Sequence, residues 1–204
     1  FRAGNMTSTF AGGIQLLTNH MRRSQLGKGT TASDYDLTLI TPGWGRDMHY
    51  KTTNIAVFAE NTLYITPAFS VSPGFRYESG VTHMTGDIIY YNADKLPLSI
   101  DHHFPLFGVS TQYRFRNSRL YAGIAQAYRP MIFKDVIPAS SLEVIDPALK
   151  DSKGYTAEAG FSGKWKGILN YDLSVFHITY NDRIGGLILQ DNAGNYYNYK
   201  TNIG

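Results

Sequence analysis

Hydrophobic and polar residues alternate with a period of two along most of this chain. From Phe69 to Glu78 the odd positions are Phe69, Val71, Pro73, Phe75 and Tyr77, and the even ones Ser70, Ser72, Gly74, Arg76 and Glu78. Successive side chains of a strand point to opposite faces, so this pattern predicts a strand with one apolar and one polar face. Residues 104–116 repeat it, with Phe107, Val109, Thr111, Tyr113 and Phe115 against Gly108, Ser110, Gln112 and Arg114. So do 155–162 (Tyr155, Ala157, Ala159, Phe161) and 169–176 (Leu169, Tyr171, Leu173, Val175). Residues 54–65 follow it too, with Phe58 on the polar side and Asn61 on the apolar one. Residues 119–129 are strand-like without a clear facing, 6–19 read as another strand, and 196–204 begin one more. No segment carries a helical stripe. The expected class is all-β.

The connections add an architecture. Short links are expected at about 66–68, 116–118 and 163–167. Long ones are expected at about 21–50, 80–103, 130–153 and 181–195, in strict alternation with the short. Compact soluble domains rarely carry several structureless loops beyond about 12–15 residues. A transmembrane β-barrel does, with tight turns on one side and long loops on the other. Strand cores of about 10 residues also match the roughly 9–11 that cross a bilayer at a tilt. The prediction is an antiparallel up-and-down transmembrane β-barrel, present in part, with long extracellular loops and short periplasmic turns.

Aromatic side chains flank the short turns: Tyr64 and Phe69, then Tyr113, Phe115 and Tyr121, then Trp165 and Tyr171. Rings at one level suit a membrane interface, although aromatics favour strands in any setting. The polar faces place Glu60, Arg76, Glu78, Arg114, Glu158 and Asp172 beside Ser and Gly. A wet lumen tolerates such charges and a dry core does not. A soluble one-sided sheet gives the same alternation, so a soluble all-β binding module and another barrel, porin or enzyme, stay open at this point.

Composition narrows the classes. Of 204 residues, 17% are charged and 14% aromatic, and the charged share lies below the roughly 25% of an average domain. No apolar run approaches the roughly 18 residues of a membrane helix. The absence of Cys excludes a disulfide scaffold and Cys-ligated metal sites. A net charge of +3 with no block of like charges gives no sign of nucleic-acid binding. The chain opens on Phe1 and closes with Lys200–Gly204 inside an expected strand, so it is read as a piece of a longer protein.

Several stretches resemble a known family. They are Asn54–Thr62 with Ile65-Thr66-Pro67 and Ser72–Glu78; Ala127-Tyr128-Arg129-Pro130 with Phe133 and Pro138; Asp146–Lys150 leading into Tyr155–Phe161; Tyr171–Phe176 with Tyr180–Gly185; and Thr201–Gly204. In this order they resemble the barrel of TonB-dependent outer-membrane receptors. Arg22–Gly29 and Ser33–Asp36 are similar to a loop of the ferric-dicitrate branch. The resemblance implies about eight strands of a barrel of about 22, a strand count that leaves a plugged lumen. Residues 1–204 would belong to one barrel domain, with the N-terminal plug and the C-terminal strands outside this chain. It further implies a bacterial outer-membrane transporter of ferric chelates, citrate-like siderophores foremost. The TonB complex would couple through the plug and its TonB box, and outer-membrane lipid and lipopolysaccharide would surround the wall.

On that reading the work is binding and gating, with no catalytic residue, resident metal or cofactor; the ferric chelate is the transported ligand. An anionic chelate should meet cations, and Arg forks match carboxylates. Arg22, Arg23 and Lys28 on the first long link, and Arg129 at the lip of the third, are the candidates; the alternatives are solvated charges or pairs with lipopolysaccharide phosphates. Asp101-His102-His103 suggests metal or hydrolase chemistry, but adjacent residues of a strand point to opposite faces and would not share one ion. Gly27-Lys28-Gly29-Thr30 lacks the first glycine of a phosphate loop and no helix follows.

Overall fold

A computed structural model describes residues 2–3, 6–30, 35–36, 38–92, 96 and 99–204, the side chains of 2–3 and 42–44 excepted. Phe1, and Ser33 and Asp34 of the receptor-like loop segment, lie outside the described residues. The chain forms β1 (Arg2–Ala3), β2 (Met6–Gly29), β3 (Leu39–Tyr64), β4 (Phe69–Ile88), β5 (Ser99–Phe115) and β6 (Ser118–Arg129). There follow α1 (Phe133–Val136), β7 (Glu143–Ile145), β8 (Ser152–Trp165), β9 (Leu169–Asn181), β10 (Arg183–Gln190) and β11 (Tyr196–Ile203). One sheet has the order β1-β2-β3-β4-β5-β6-β8-β9, every neighbour antiparallel. A second joins β10 to β11 antiparallel and β11 to β7 parallel. This is the up-and-down antiparallel wall that the alternation predicts.

The short turns fall where expected. Arg116 at φ 51° turns β5 into β6, and Lys166 and Gly167 at φ 50° and 76° turn β8 into β9. Positive φ at a tight hairpin matches the twist of its strands.

The long links differ from expectation. Residues 21–50 are mostly strand, because β2 and β3 run for 24 and 26 residues. β4 continues to Ile88 and β5 starts at Ser99, which shortens the 80–103 link. Segment 181–195 is β10 and a turn, and 130–153 carries α1 and β7. The reason is a reversal of polarity within single strands. In the register Leu16, Ile55, Ser79 and His103 share one row and one face. Nearer the short turns that face is apolar: Ile14, Val57, Tyr77, then Phe69, Tyr113, Leu120, Phe161 and Leu173. Beyond the row it carries His20, Lys51 and His83, then Arg22, His49 and Thr85. The opposite face turns apolar there, with Met48, Tyr50, Met84 and Ile88 buried. A single period read through the strand loses its phase at that row.

Among the described residues nothing covers the apolar face near the short turns. Leu16 is 75% exposed, Val175 70% and Phe107 55%, and the face spans the sheet. Bare apolar areas of that extent mark a membrane or partner surface. The rings of Tyr113, Phe115, Phe161 and Tyr171 form a run there, with neighbouring centroids 5.3–6.1 Å apart. Tyr121, expected with them, lies on the other face, where its hydroxyl bonds Asp172 at 3.0 Å. The main buried cluster sits at the long-link end: Met48, Tyr50, Met84, Ile88 and Leu96 against Phe133 and Ile137.

Candidate ligand-facing site

The polar face is crossed by side-chain ladders. Arg76 donates to Glu78 at 2.8 Å and to Gln15 at 3.1 Å, and Asn54 donates to Glu78 at 2.8 Å. On the next strands Arg119 donates to Ser162 at 2.8 Å. Such pairs, along β4 and across strands, satisfy charges that a closed apolar interior would not tolerate. Gly160 belongs to this face by necessity: a Cβ there would lie 2.3 Å from the Tyr121 ring.

At the long-link end the segment after β6 folds over this face. Its base is tied by carboxylates. Both Asp135 oxygens accept from Arg129 Nη2 at 2.9 Å, and one accepts from the Ile132 amide at 3.1 Å. Asp151 accepts from the Met131 amide at 2.7 Å and from the Tyr128 hydroxyl. Farther along, Glu143 takes Lys200 at 2.9 Å and the Ala139 amide, which joins the segment to β11. Asp146 accepts from Thr201 and from the Ala148 amide, and these bonds hold its carboxyl below the usual carboxylate range. Arg46 Nη2 reaches the Ala139 carbonyl at 3.3 Å.

Beneath this strap lies a cavity of about 240 Å³. Its floor is Asn19, Tyr50, Thr52, Thr82, Ile100 and His102; its roof is residues 130–134. The Thr52 and Thr82 hydroxyls lie 2.9 Å apart, and His102 Nε2 is 3.2 Å from Asn54 Oδ1. The Tyr50 and Phe133 rings meet with centroids 5.0 Å apart. The site offers an aromatic wall and hydroxyl and imidazole hydrogen-bonding groups, with Lys134 among the lining residues of its roof.

The four candidate cations are placed differently from one another. Arg22 shares the face opposite to Tyr50 and grips Asp47 with two bonds of 2.8 and 2.7 Å. Arg23 pairs in register with Met48, so it leaves the sheet on the covered face. Lys28 lies near the tip of the β2–β3 hairpin, opposite Thr41. Arg129 supports the strap through Asp135. The structure does not bring the four together. His102 and His103 do point to opposite faces: His102 meets Asn54 and His103 meets Ser79 at 2.9 Å. Tyr50, His102 and Lys134 were not legible as one site, because they come from β3, β5 and the strap.

The profile of the family described as "TonB dependent receptor-like, beta-barrel" matches residues 3–204. The chain belongs to that family. Solved structures agree on the fold of this TonB-dependent receptor-like barrel segment. The ferric-catecholate import receptor Fiu of E. coli K12 superposes with a TM-score of 0.69 at 17% identity, over 98% of this chain and 32% of Fiu. The copper transporter OprC gives 0.66 at 17%, over 99% and 31%. The ferric citrate transporter FecA, unliganded, gives 0.69 at 16%, over 90% and 26%. The receptor segment thus spans about a third or less of each of these chains. A search of curated protein sequences gives no match.

Proposed function

We propose that this barrel segment belongs to an outer-membrane transporter that binds a ferric chelate from outside and admits it by TonB-driven gating. The observation that carries the reading is the reversal of polarity at one row across β2–β5, with a roofed cavity on the covered face beyond it. The bare apolar belt on the short-turn side faces lipid. The part beyond the row stands in water, in contact with lipopolysaccharide on its outer side. Fiu and FecA, which share the fold, are named for ferric-catecholate import and ferric citrate transport. The cargo on this reading is an anionic iron chelate of the citrate or siderophore type. Arg23 and Lys134 are the cations best placed toward the cavity. Lys28 lies farther along β2 near the hairpin tip, Arg129 acts by holding the strap, and Arg22 serves the outer side. The plug and TonB box belong to parts of the receptor beyond this chain.

The test is growth and uptake. A strain lacking the gene should fail to grow with ferric citrate, or the matching siderophore, as sole iron source, and should lose uptake of the labelled chelate. Growth and uptake unchanged across a panel of citrate, catecholate and hydroxamate chelates would refute the reading.

A further inference from the structure

The face that is bare and apolar near the short turns becomes basic just beyond the Leu16–Ile55 row. The plug of such a barrel fills the lumen, so this outer side of the wall stays outside its reach. β3 and β4 are flanked on both sides by strands of this chain. The register sets His20, Lys51 and His83 side by side in one row across β2, β3 and β4. The next row out on the same face carries Arg22, His49 and Thr85. All six side chains are exposed, and they line a cleft of about 390 Å³. Lys51 is the first Lys or Arg that this face of β2–β5 carries beyond the Leu16–Ile55 row.

The acids of the face stand to the sides. Asp47 lies one row beyond His49; Arg22 holds it with bonds of 2.8 and 2.7 Å, and the His49 ring is 3.6 Å away. Asp87 is the register partner of Asp47, and Asp101 pairs with Val81 one row nearer the apolar belt. Among the described residues Lys51, His20 and His83 enter no salt bridge. Arg22 is therefore the committed cation of the face and Lys51 the available one. Height along the strands fixes what meets it. Acyl chains cover the belt up to the row of Leu16 and Ile55, and the headgroups begin where they end. A Lys stem lies along apolar surface while its ammonium reaches the polar layer, and an imidazole offers an N–H donor in either charge state. We propose that the His20–Lys51–His83 row grips the phosphorylated headgroup of an outer-leaflet glycolipid of the lipopolysaccharide type. Lys51 makes the central ion pair, and the imidazoles and the Thr85 hydroxyl add hydrogen bonds. The inference rests on the outer-membrane placement in the transport reading and is independent of the cargo.

The experiment uses the full-length receptor in a phosphate-free nonionic detergent, with bound lipid measured by native mass spectrometry. The probes are bisphosphoryl lipid A, its dephosphorylated form and inorganic phosphate. Saturable binding of bisphosphoryl lipid A is expected, with the dephosphorylated form held about tenfold more weakly. K51Q should weaken the binding by about fivefold, the worth of one cation at a charged membrane surface, and H20Q/K51Q/H83Q by more. K51R should bind as wild type does. K166Q, in the β8–β9 turn at the other end of the wall, should change nothing. The substituted side chains are exposed, so the variants should keep the wild-type melting temperature in the absence of lipid A. Equal binding by wild type and the triple variant, or no preference for the phosphorylated lipid, overturns the proposal. Inorganic phosphate bound as tightly as lipid A overturns it too, because the cleft would then take a free anion and not a headgroup. A receptor that holds lipid A through Lys51 yet imports no chelate supports this surface and overturns the transport reading. One that imports chelate while the triple variant holds lipid A unchanged does the reverse.

Discussion

The two ends of β3, β4 and β5 are built from the same backbone ladder but dress it oppositely. Toward the short turns, Val57, Phe75, Tyr77, Phe107 and Val109 stand bare on one face while Arg76 and Glu78 pair on the other. Toward the long links, Lys51, His49 and His83 take the first face, and Met48, Tyr50 and Met84 are buried on the second. Hydrogen bonding is indifferent to this exchange. On the transport reading, what changes is the medium on each side: apolar surroundings against a polar interior at one end, water against a packed strap at the other. A strand therefore records where its surroundings change, and the Leu16–Ile55–Ser79–His103 row marks that level.

Four experiments on the full-length receptor would sharpen or break this contrast. The largest effect is expected at the packed end. Phe133→Ala empties the centre of the buried cluster, and aromatic truncation in a core costs about 3–5 kcal/mol. Hydrogen exchange should show residues 130–151 opening while the β8–β9 ladder keeps its protection; equal protection in both forms would mean that the strap is held without Phe133. Next comes a paired substitution across the boundary row. Val57→Arg on the bare face should destabilise folding into lipid bilayers by roughly 2–4 kcal/mol. Thr85→Arg, on the same face beyond the row, should stay within about 0.5 kcal/mol. Equal costs at the two positions would abolish the boundary.

A smaller change is expected from Asp135→Asn. It removes the charge that Arg129 grips, and a hydrogen bond to a charged group is worth roughly 1.5–3 kcal/mol. Protease cleavage within the strap should quicken, with Arg129→Lys giving a milder version of the same. The smallest effect is a pH response. The bonds from Thr201 and the Ala148 amide lower the Asp146 carboxyl in the folded state. Asp191, in the β10–β11 turn, is lowered chiefly by the Asn195 amide and side chain. Depressed carboxyls stabilise above their unfolded values and lose that contribution as pH falls through the folded ones. Exchange protection of residues 143–148 and 190–196 should hold from neutrality down through the ordinary carboxylate range and fade only below it. Loss beginning near pH 6 would point to another group.

Much of the wall was legible. Phe69–Tyr77 and Phe107–Phe115 announce their strands and the facing of each, because a half-covered sheet demands alternation. The short turns were legible as well, since few residues remain between the strands. The segment 21–50 reads as a loop in the sequence because Met48 and Tyr50 carry the apolar phase opposite to Ile55 and Val57. Nearness to a turn puts Tyr121 with the outer rings in the sequence, whereas its register partners Gln112 and Gly160 set it on the polar side. In the sequence the candidate arginines stand out by charge alone. Charge does not reveal that Asp47 and Asp135 already hold two of them.

An all-β antiparallel wall with one apolar and one polar face and tight turns on one side is written in the amino-acid order alone. Those features follow from the two-residue period and from local turn chemistry. Where the faces exchange character, which side chains the strap covers, and that Tyr50, His102 and Phe133 border one cavity while Arg114 stands against Arg119 emerge with the folded chain. Those relations depend on cross-strand register and on a segment folding back over distant strands, and neither is encoded in the spacing of neighbours along the chain.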